Sequence, residues 1–250
     1  MESSFLFSEL VKRDFKKKYK GTFLGIVWSV LSPLLMLLVM SLIFTRFFGR
    51  STPHYTIYLF CGNIVFSFFS DSSGATMGSL LENAPIFTKI NVPKYLFLFS
   101  KSVSSAINFG LTLLVFFIFC VFDGISLSFS FLLLSFPIVC LLIFNVGLGL
   151  ILSALYVFFR DIQYLWSIFV QLLMYLSAIF YTVDSFPESA QGLFYINPLY
   201  VYIKYFRMIV IENTVPPLWH HALALGYAAL ALAIGALVYK KQNQKFLYYV

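Results

Sequence analysis

Long uncharged stretches separated by short charged segments dominate the chain. From Gly21 to Thr45 no charged residue occurs, and at about 1.5 Å per residue a helix of that length crosses a hydrocarbon core of about 30 Å. Comparable stretches recur along the sequence. The pattern predicts an all-α integral membrane protein with six transmembrane helices, at about residues 22–46, 55–80, 102–122, 129–158, 162–183 and 218–239.

A basic segment precedes the first span. It contains Lys12, Arg13, Lys16, Lys17, Lys18 and Lys20. Apolar residues recur there at steps of three and four, which predicts an N-terminal amphipathic helix within residues 1–20, lying in the membrane interface. Because basic residues next to a span stay cytoplasmic, the N-terminus is expected inside. The uncharged run is longer than a signal-peptide h-region and no A-x-A-like site follows it, so a cleaved signal is excluded.

The remaining charges give the rest of the topology. Pro85 and Pro93 interrupt the segment 82–101, and its lysines place it in the cytoplasm. The basic tail after residue 239 returns the C-terminus to the same side. The only basic residues then expected outside are Arg46, Arg50, Lys204 and Arg207.

The apolar segment 184–217 is too short on either side of Asn197-Pro198 to cross the bilayer. Two short re-entrant helices, broken at Asn197-Pro198, are predicted on the outer side. Residues 46–53 are predicted to form a short outer loop after the first span.

Two features bear on helix packing. Gly21 and Gly25, and again Gly74 and Gly78, have the GxxxG spacing that permits close approach of helices. Asp71 lies within the second predicted span. It either faces a functional interior or sits near the cytoplasmic end with a lysine or hydroxyl partner.

Composition supports the membrane assignment. Of 250 residues 60% are hydrophobic and 11% charged, and the mean hydropathy is +0.89. These values indicate one membrane domain over residues 1–250, without room for a sizeable water-soluble domain. The net charge of +7 comes mostly from the N-terminal segment, which argues for contact with anionic lipid and against nucleic-acid binding. Cys61, Cys120 and Cys140 lie in apolar runs and are interpreted as small hydrophobic residues.

Catalytic motifs are missing from the sequence. It has no Walker A loop, no H-E-x-x-H, no G-x-S-x-G and no zinc-type Cys/His spacing. His220 and His221 are interpreted as capping groups at the membrane boundary instead of metal ligands. We therefore expect a protein without an enzymatic site, metal or cofactor of its own.

Aromatic residues are abundant instead: 31 Phe, 16 Tyr and 3 Trp. In the fifth span they run the full length, beyond what two interfacial belts require; among them are Tyr164, Phe169, Tyr175, Phe180 and Tyr181. Each could face lipid or the packed core. Together they also suit a channel that lets sugar rings slide by stacking.

Four motifs carry a resemblance to a known family. They are Leu10-Val-Lys-Arg-Asp14 with Tyr19-Lys-Gly21, Leu24-Gly-Ile-Val-Trp28 and Ser32-Pro33-Leu34; Asn83 with Lys89 and Val92-Pro93; Phe159-Arg-Asp-Ile162; and Asn197-Pro198. In order and spacing the chain resembles the membrane subunit of ABC-2-type polysaccharide exporters, which serve O-antigen, capsule and teichoic-acid export. One departure is Thr88, where the family often has a second basic residue.

The resemblance implies a homodimer in the bacterial inner membrane, with two copies of a separate cytoplasmic ATPase that binds ATP and Mg²⁺. A lipid-linked glycan would move outward through a channel between the two copies, lined by spans 1 and 5, with Trp28 and the span 5 aromatic residues as candidates. The implied contacts with the ATPase are Lys12, Arg13, Asp14, Lys16, Asn83, Pro85, Phe87, Lys89 and Pro93. An ABC-2 exporter of drugs or small lipids is the alternative, and a membrane enzyme acting on lipid-linked sugars is a further one.

Overall fold

The computed structural model of the chain describes residues 2–48, 54–90, 92–126, 128–243 and 245–249. All the regular structure in these ranges is helical. The α-helices are α1 (Glu2–Tyr19), α2 (Trp28–Phe48), α3 (Tyr55–Met77), α4 (Ser79–Glu82), α5 (Ala84–Phe87), α6 (Tyr95–Phe122), α7 (Ser135–Phe158), α8 (Ile162–Leu176), α9 (Glu188–Gln191), α10 (Pro198–Val210), α11 (Leu218–Gln242) and α12 (Phe246–Tyr249).

Within the described ranges, three helical runs are long and apolar enough to cross a membrane: Tyr95–Phe122, Phe129–Phe158 and Leu218–Gln242. The second begins with a 3-10 turn, Phe129–Leu134, that continues directly into α7, so the helix is continuous over 129–158. Trp28–Ile43 and Ile162–Leu176 are shorter apolar helices. The structure thus confirms an all-helical protein with membrane-spanning segments, while the total of six spans stays a prediction.

Helix bounds differ from the sequence expectation at three places in particular. Helix α2 begins at Trp28 and not at residue 22, because the turn with Gly21 and Gly25 comes first. Helix α6 begins at Tyr95, before Lys101 and before the expected start at residue 102, and its early residues Phe97 and Leu98 are buried in the fold. Helix α8 ends at Leu176, and Ala178 adopts the left-handed region with φ 50°, which turns the chain before residue 183. The loop predicted after the first span falls mostly on residues 49–53, which lie outside the described ranges.

The core is built around α3 and α10. Most residues of α3 are buried, and α10 is covered on almost every face by α3, α7 and α11. The Asn197 side chain accepts the backbone N–H of Leu199, and Pro198 occupies the first turn, so the predicted helix break at Asn197-Pro198 is confirmed. Because protein covers α10, its backbone could lie at membrane depth; the re-entrant placement itself stays a prediction.

The tightest helix crossing joins α7 and α11, and it uses glycines that the GxxxG search did not select. A Cβ on Gly147 would come within 2.5 Å of the Ala231 carbonyl oxygen, and one on Gly235 would overlap the Gly147 carbonyl. Gly21 and Gly25 instead have φ of 83° and 53° and no neighbour within 4 Å in the described chain. The two glycines therefore form the turn between α1 and α2 here, where left-handed backbone is required.

Candidate functional site

One candidate site lies where α1 docks on α6. Asp14 is buried, and its carboxylate accepts a hydrogen bond from Ser100 at 2.9 Å. The guanidinium of Arg13 lies 2.8 Å away and the ammonium of Lys101 3.8 Å away. A buried carboxylate held by two cations and a hydroxyl fixes α1 in one position on α6.

Apolar contacts join α1 to the segment that follows α3. Leu10, Phe87 and Phe97 form a buried cluster, with Leu6 and Ile86 packed around it. The Phe87 and Phe97 ring centroids are 6.0 Å apart. These contacts make α1, α5 and the start of α6 one packed unit, which we call the docking unit.

Glu82 adds an ionic contact to the docking unit. Its carboxylate lies 3.0 Å from the ammonium of Lys101 and 3.4 Å from that of Lys17. Partial burial alone would raise the pKa of Glu82, but the hydrogen bonds and charges of Lys101 and Lys17 lower this pKa below its usual value. Glu82 therefore stays ionised and bridges α1 to α6.

The residues expected to contact an ATPase separate into two groups in this docking unit. Lys12, Lys16, Pro85, Lys89 and Pro93 are exposed, and Arg13 is half-buried.

Three others in that set are buried within the chain itself. Asp14 bonds Ser100, Phe87 packs on Leu10, and the Asn83 amide donates to the Ser79 carbonyl at 2.7 Å. Sequence reasoning could not separate the two groups, because exposed and buried residues follow one another within a few positions of the chain.

The aromatic residues of α8 form a second candidate surface. Along α8 no side chain is buried; Tyr164 is 65% exposed, Phe169 45% and Tyr175 56%. Trp166 turns the other way, where its indole N–H donates to Ser73 at 3.1 Å and its ring lies 5.9 Å from that of Phe69. The face of α8 that points away from α3 is thus aromatic, and no other described part of the single chain covers it.

Phe180 and Tyr181 lie beyond the end of α8 and are half-buried. The Tyr181 hydroxyl donates to the Tyr175 carbonyl at 2.7 Å, and the two backbone carbonyls of residues 180 and 181 accept from Tyr55 and Tyr58 at 2.7 Å each. These two residues hold the turn against α3. Trp28, at the start of α2, is 37% exposed.

Arg207, counted in the sequence analysis among the basic residues on the outer side of the membrane, lies buried in the core. Its guanidinium donates to the carbonyls of Ala178 at 2.9 Å, Ile179 at 3.1 Å and Tyr58 at 3.3 Å. It also stacks 3.4 Å from the centre of the Tyr58 ring. The apolar and aromatic neighbours of Arg207 on α10 were the available signal for burial, since an exposed helix face would alternate with polar residues.

The histidines bond to protein groups. His220 is buried with Nε2 3.0 Å from the Val201 carbonyl, and His221 Nε2 lies 2.8 Å from the Tyr205 hydroxyl. Among the described residues no group of three or more His, Cys, Asp or Glu side chains could hold a metal ion. Cys61, Cys120 and Cys140 are buried free thiols, as expected for small apolar residues.

Apolar spans, a helical core and a docking unit at one end define an all-helical, multi-pass membrane protein. The chain belongs to the ABC-2 type transporter family, whose model matches residues 6–211. It is 28% identical over 248 residues to the O-antigen export system permease protein RfbA of Klebsiella pneumoniae, covering 97% of this chain and 95% of that protein. It is 27% identical over 215 residues to the protein of the same name from Myxococcus xanthus, covering 84% and 82%.

Proposed function

We propose that the chain is the membrane subunit of an ATP-driven exporter that moves a lipid-linked polysaccharide from the cytoplasmic side outward. The similarity to O-antigen export permeases over 97% of the chain carries this proposal, because it includes the docking unit, the core and the tail together. A separate ABC ATPase supplies ATP hydrolysis, both termini are cytoplasmic, and the channel lies between two copies of the chain.

The docking unit supports two separate roles for the residues near the ATPase contact: exposed residues bind the ATPase, and buried residues hold the unit together. The exposed residues Lys12, Lys16, Pro85, Lys89 and Pro93 meet the ATPase. The buried residues Asp14 and Phe87 keep α1 and α5 together, so that a displacement of one is transmitted to the other. Proline at two exposed positions limits the backbone freedom of this contact, which favours transmission of force.

The exposed aromatic face of α8 supports the channel assignment. Tyr164, Phe169 and Tyr175 present rings and hydroxyl groups without any charge. A long polymer must bind weakly at every point to keep moving, and stacking on rings provides a shallow attraction. In this proposal α8 and α2 of each copy face the other copy.

The function is tested by deleting the gene in its source organism and restoring it from a plasmid. Deletion should remove the surface glycan and leave lipid-linked glycan inside the cell, and the plasmid should restore export. Unchanged surface glycan in the deletion strain would contradict the proposal. The ATPase contact is tested separately by copurification.

The variant Lys12→Glu/Lys16→Glu should retain several-fold less ATPase than the wild type, since two attractive charges become repulsive. The matched control is Lys240→Glu/Lys241→Glu, which changes two exposed basic residues in the last turn of α11, outside the docking unit. Equal losses in both variants would assign the effect to general charge and not to α1.

A further inference from the structure

A cavity of about 470 Å³ lies between α1, α2, α3 and α6, inside a single copy of the chain. This volume falls within the roughly 300–1,000 Å³ of small-molecule sites. Most of its lining residues carry hydroxyl, amide or charged groups, although three of the four elements are long apolar helices. Ionisable groups within membrane helices are costly, and they usually mark a ligand site or a pathway.

Two side-chain amides provide directional groups in this cavity. Asn63 on α3 and Asn108 on α6 both line it. The Asn63 carbonyl oxygen accepts from Ser67 at 3.5 Å, and the Asn108 carbonyl oxygen accepts from Tyr19. Within the described ranges neither amide N–H₂ group has a protein partner, so both keep donors for a ligand.

Aromatic rings lie beside these amides. Trp28 and Tyr19 line the cavity, as do Phe68 and Phe109, whose rings stack with centroids 4.4 Å apart. A sugar ring presents C–H groups on its faces and hydroxyl groups at its edge. The aromatic side chains can stack on the faces of the sugar, and the amides can bond the hydroxyl groups at its edge.

An ion pair separates this cavity from a second one. Lys18 and Asp71 lie 2.7 Å apart, are both about half-exposed, and line both cavities together with Ser105. The second cavity, of about 420 Å³, is bounded by Glu82 and Lys101 of the docking unit. Exposed ion pairs contribute little to stability, so Asp71 can exchange Lys18 for ligand hydroxyl groups.

We propose that the cavity binds one saccharide unit of the transported glycan within each copy of the chain. The inference rests on the proposed function and adds a specific site to it. A free phosphate is disfavoured, because the Asp71 carboxylate offsets the Lys18 charge in the lining. An acyl chain is disfavoured because the walls carry amides and hydroxyls from three helices. The Asn63 and Asn108 amides donate hydrogen bonds to the sugar hydroxyl groups, and the Trp28 ring stacks on the face of the sugar.

The affinity must be low, because a polymer that binds tightly at one unit would stop. A dissociation constant in the millimolar range corresponds to about −4 kcal/mol at the standard state. Saturation-transfer NMR detects binding of this strength on the intact chain. The probes are free glucose, galactose, mannose, rhamnose and N-acetylglucosamine, each added to the full chain in lipid nanodiscs, with glycerol as the reference.

At least one of these sugars should give a signal well above that of glycerol. Asn63→Leu should lower that signal at least about fivefold, which corresponds to roughly 1 kcal/mol. Ser32→Ala, at an exposed position of the lining where folding is not at risk, should lower it about twofold. The matched control Asn243→Leu, exposed and away from the cavity, should leave the signal unchanged. No sugar signal above glycerol, or equal signals in all three variants, would overturn the site.

Export in cells separates this inference from the proposed function. If the wild type exports glycan and Asn63→Leu exports it at the same rate with unchanged sugar binding, the site is wrong and the exporter assignment stands. If sugars bind and depend on Asn63 while deletion leaves surface glycan unchanged, the exporter assignment is wrong and the site stands. Slower export by Asn63→Leu at equal amounts of inserted protein supports both.

Discussion

The close crossing of α7 and α11 predicts that the change Gly235→Ala destabilises the protein. The added Cβ would overlap the Gly147 carbonyl oxygen and stand 3.0 Å from its carbonyl carbon and 3.1 Å from the Leu150 Cβ. Carbon atoms in contact normally lie about 3.5–4.0 Å apart. The helices must therefore separate by roughly 1 Å, which weakens the neighbouring contacts along the buried alanine face of α11.

The size of the effect can be estimated against a matched control on the same helix. Gly226→Ala adds the same methyl group where nothing lies within 4 Å. Both changes gain the helix preference of alanine, up to about 1 kcal/mol. Their difference isolates the overlap, and overpacking of this kind costs about 1–3 kcal/mol. We expect Gly226→Ala to be neutral or stabilising, and Gly235→Ala to be less stable than it by that amount.

The free energy of unfolding is measured on the purified chain in mixed micelles, by titration with a denaturing detergent and far-ultraviolet circular dichroism. Both variants must first insert and elute as the wild type does. Equal unfolding midpoints for the two variants, or a higher midpoint for Gly235→Ala, would show that α7 and α11 are not in close contact in the native protein.

Further predictions concern the docking unit and the outer segment. Asp14→Asn should lower the stability of the chain by about 1–3 kcal/mol in the same assay, because a buried carboxylate with charged partners is lost, whereas Glu9→Gln in an exposed pair should change it by less than about 1 kcal/mol; equal effects would refute the docking geometry. Because the folded pKa of Glu82 is lowered, its ion pairs stabilise above its unfolded pKa and this contribution disappears as pH falls through the folded value; Glu82→Gln should remove that part of the acid sensitivity, and an unchanged pH profile would contradict it. Cysteines placed at Ser189 and Asn213 should both react with an impermeant maleimide from outside the cell, and labelling of only one would show that a membrane crossing was missed.

Much of the fold follows from local sequence rules. The helix break at Asn197-Pro198 and the continuous run over 129–158 were predictable because capping residues and uncharged length act within a few residues. For Asp71 two alternatives were open, a functional interior or a lysine or hydroxyl partner; it pairs with Lys18 and also lines the cavity.

Other features depend on distant parts of the chain. Sequence spacing selected Gly21 and Gly74 for close packing, yet the tight crossing uses Gly147 and Gly235, since only the meeting of two helices decides which glycine is needed. The polar cavity also escaped prediction. Its amides come from α3 and α6, and each looks like an isolated polar residue in its own span.

The buried Arg207 has a consequence for the order of synthesis. Its guanidinium is always charged, and such a group in apolar surroundings without acceptors would be very unfavourable. The carbonyl groups that receive it belong to Tyr58, Ala178 and Ile179, all of which leave the ribosome earlier. The nascent chain thus already contains these three carbonyl acceptors when Arg207 is synthesised. A circular permutant that begins at residue 198 would present Arg207 first, and we expect it to be degraded or retained by the insertion machinery even though every contact of the finished fold remains available to it.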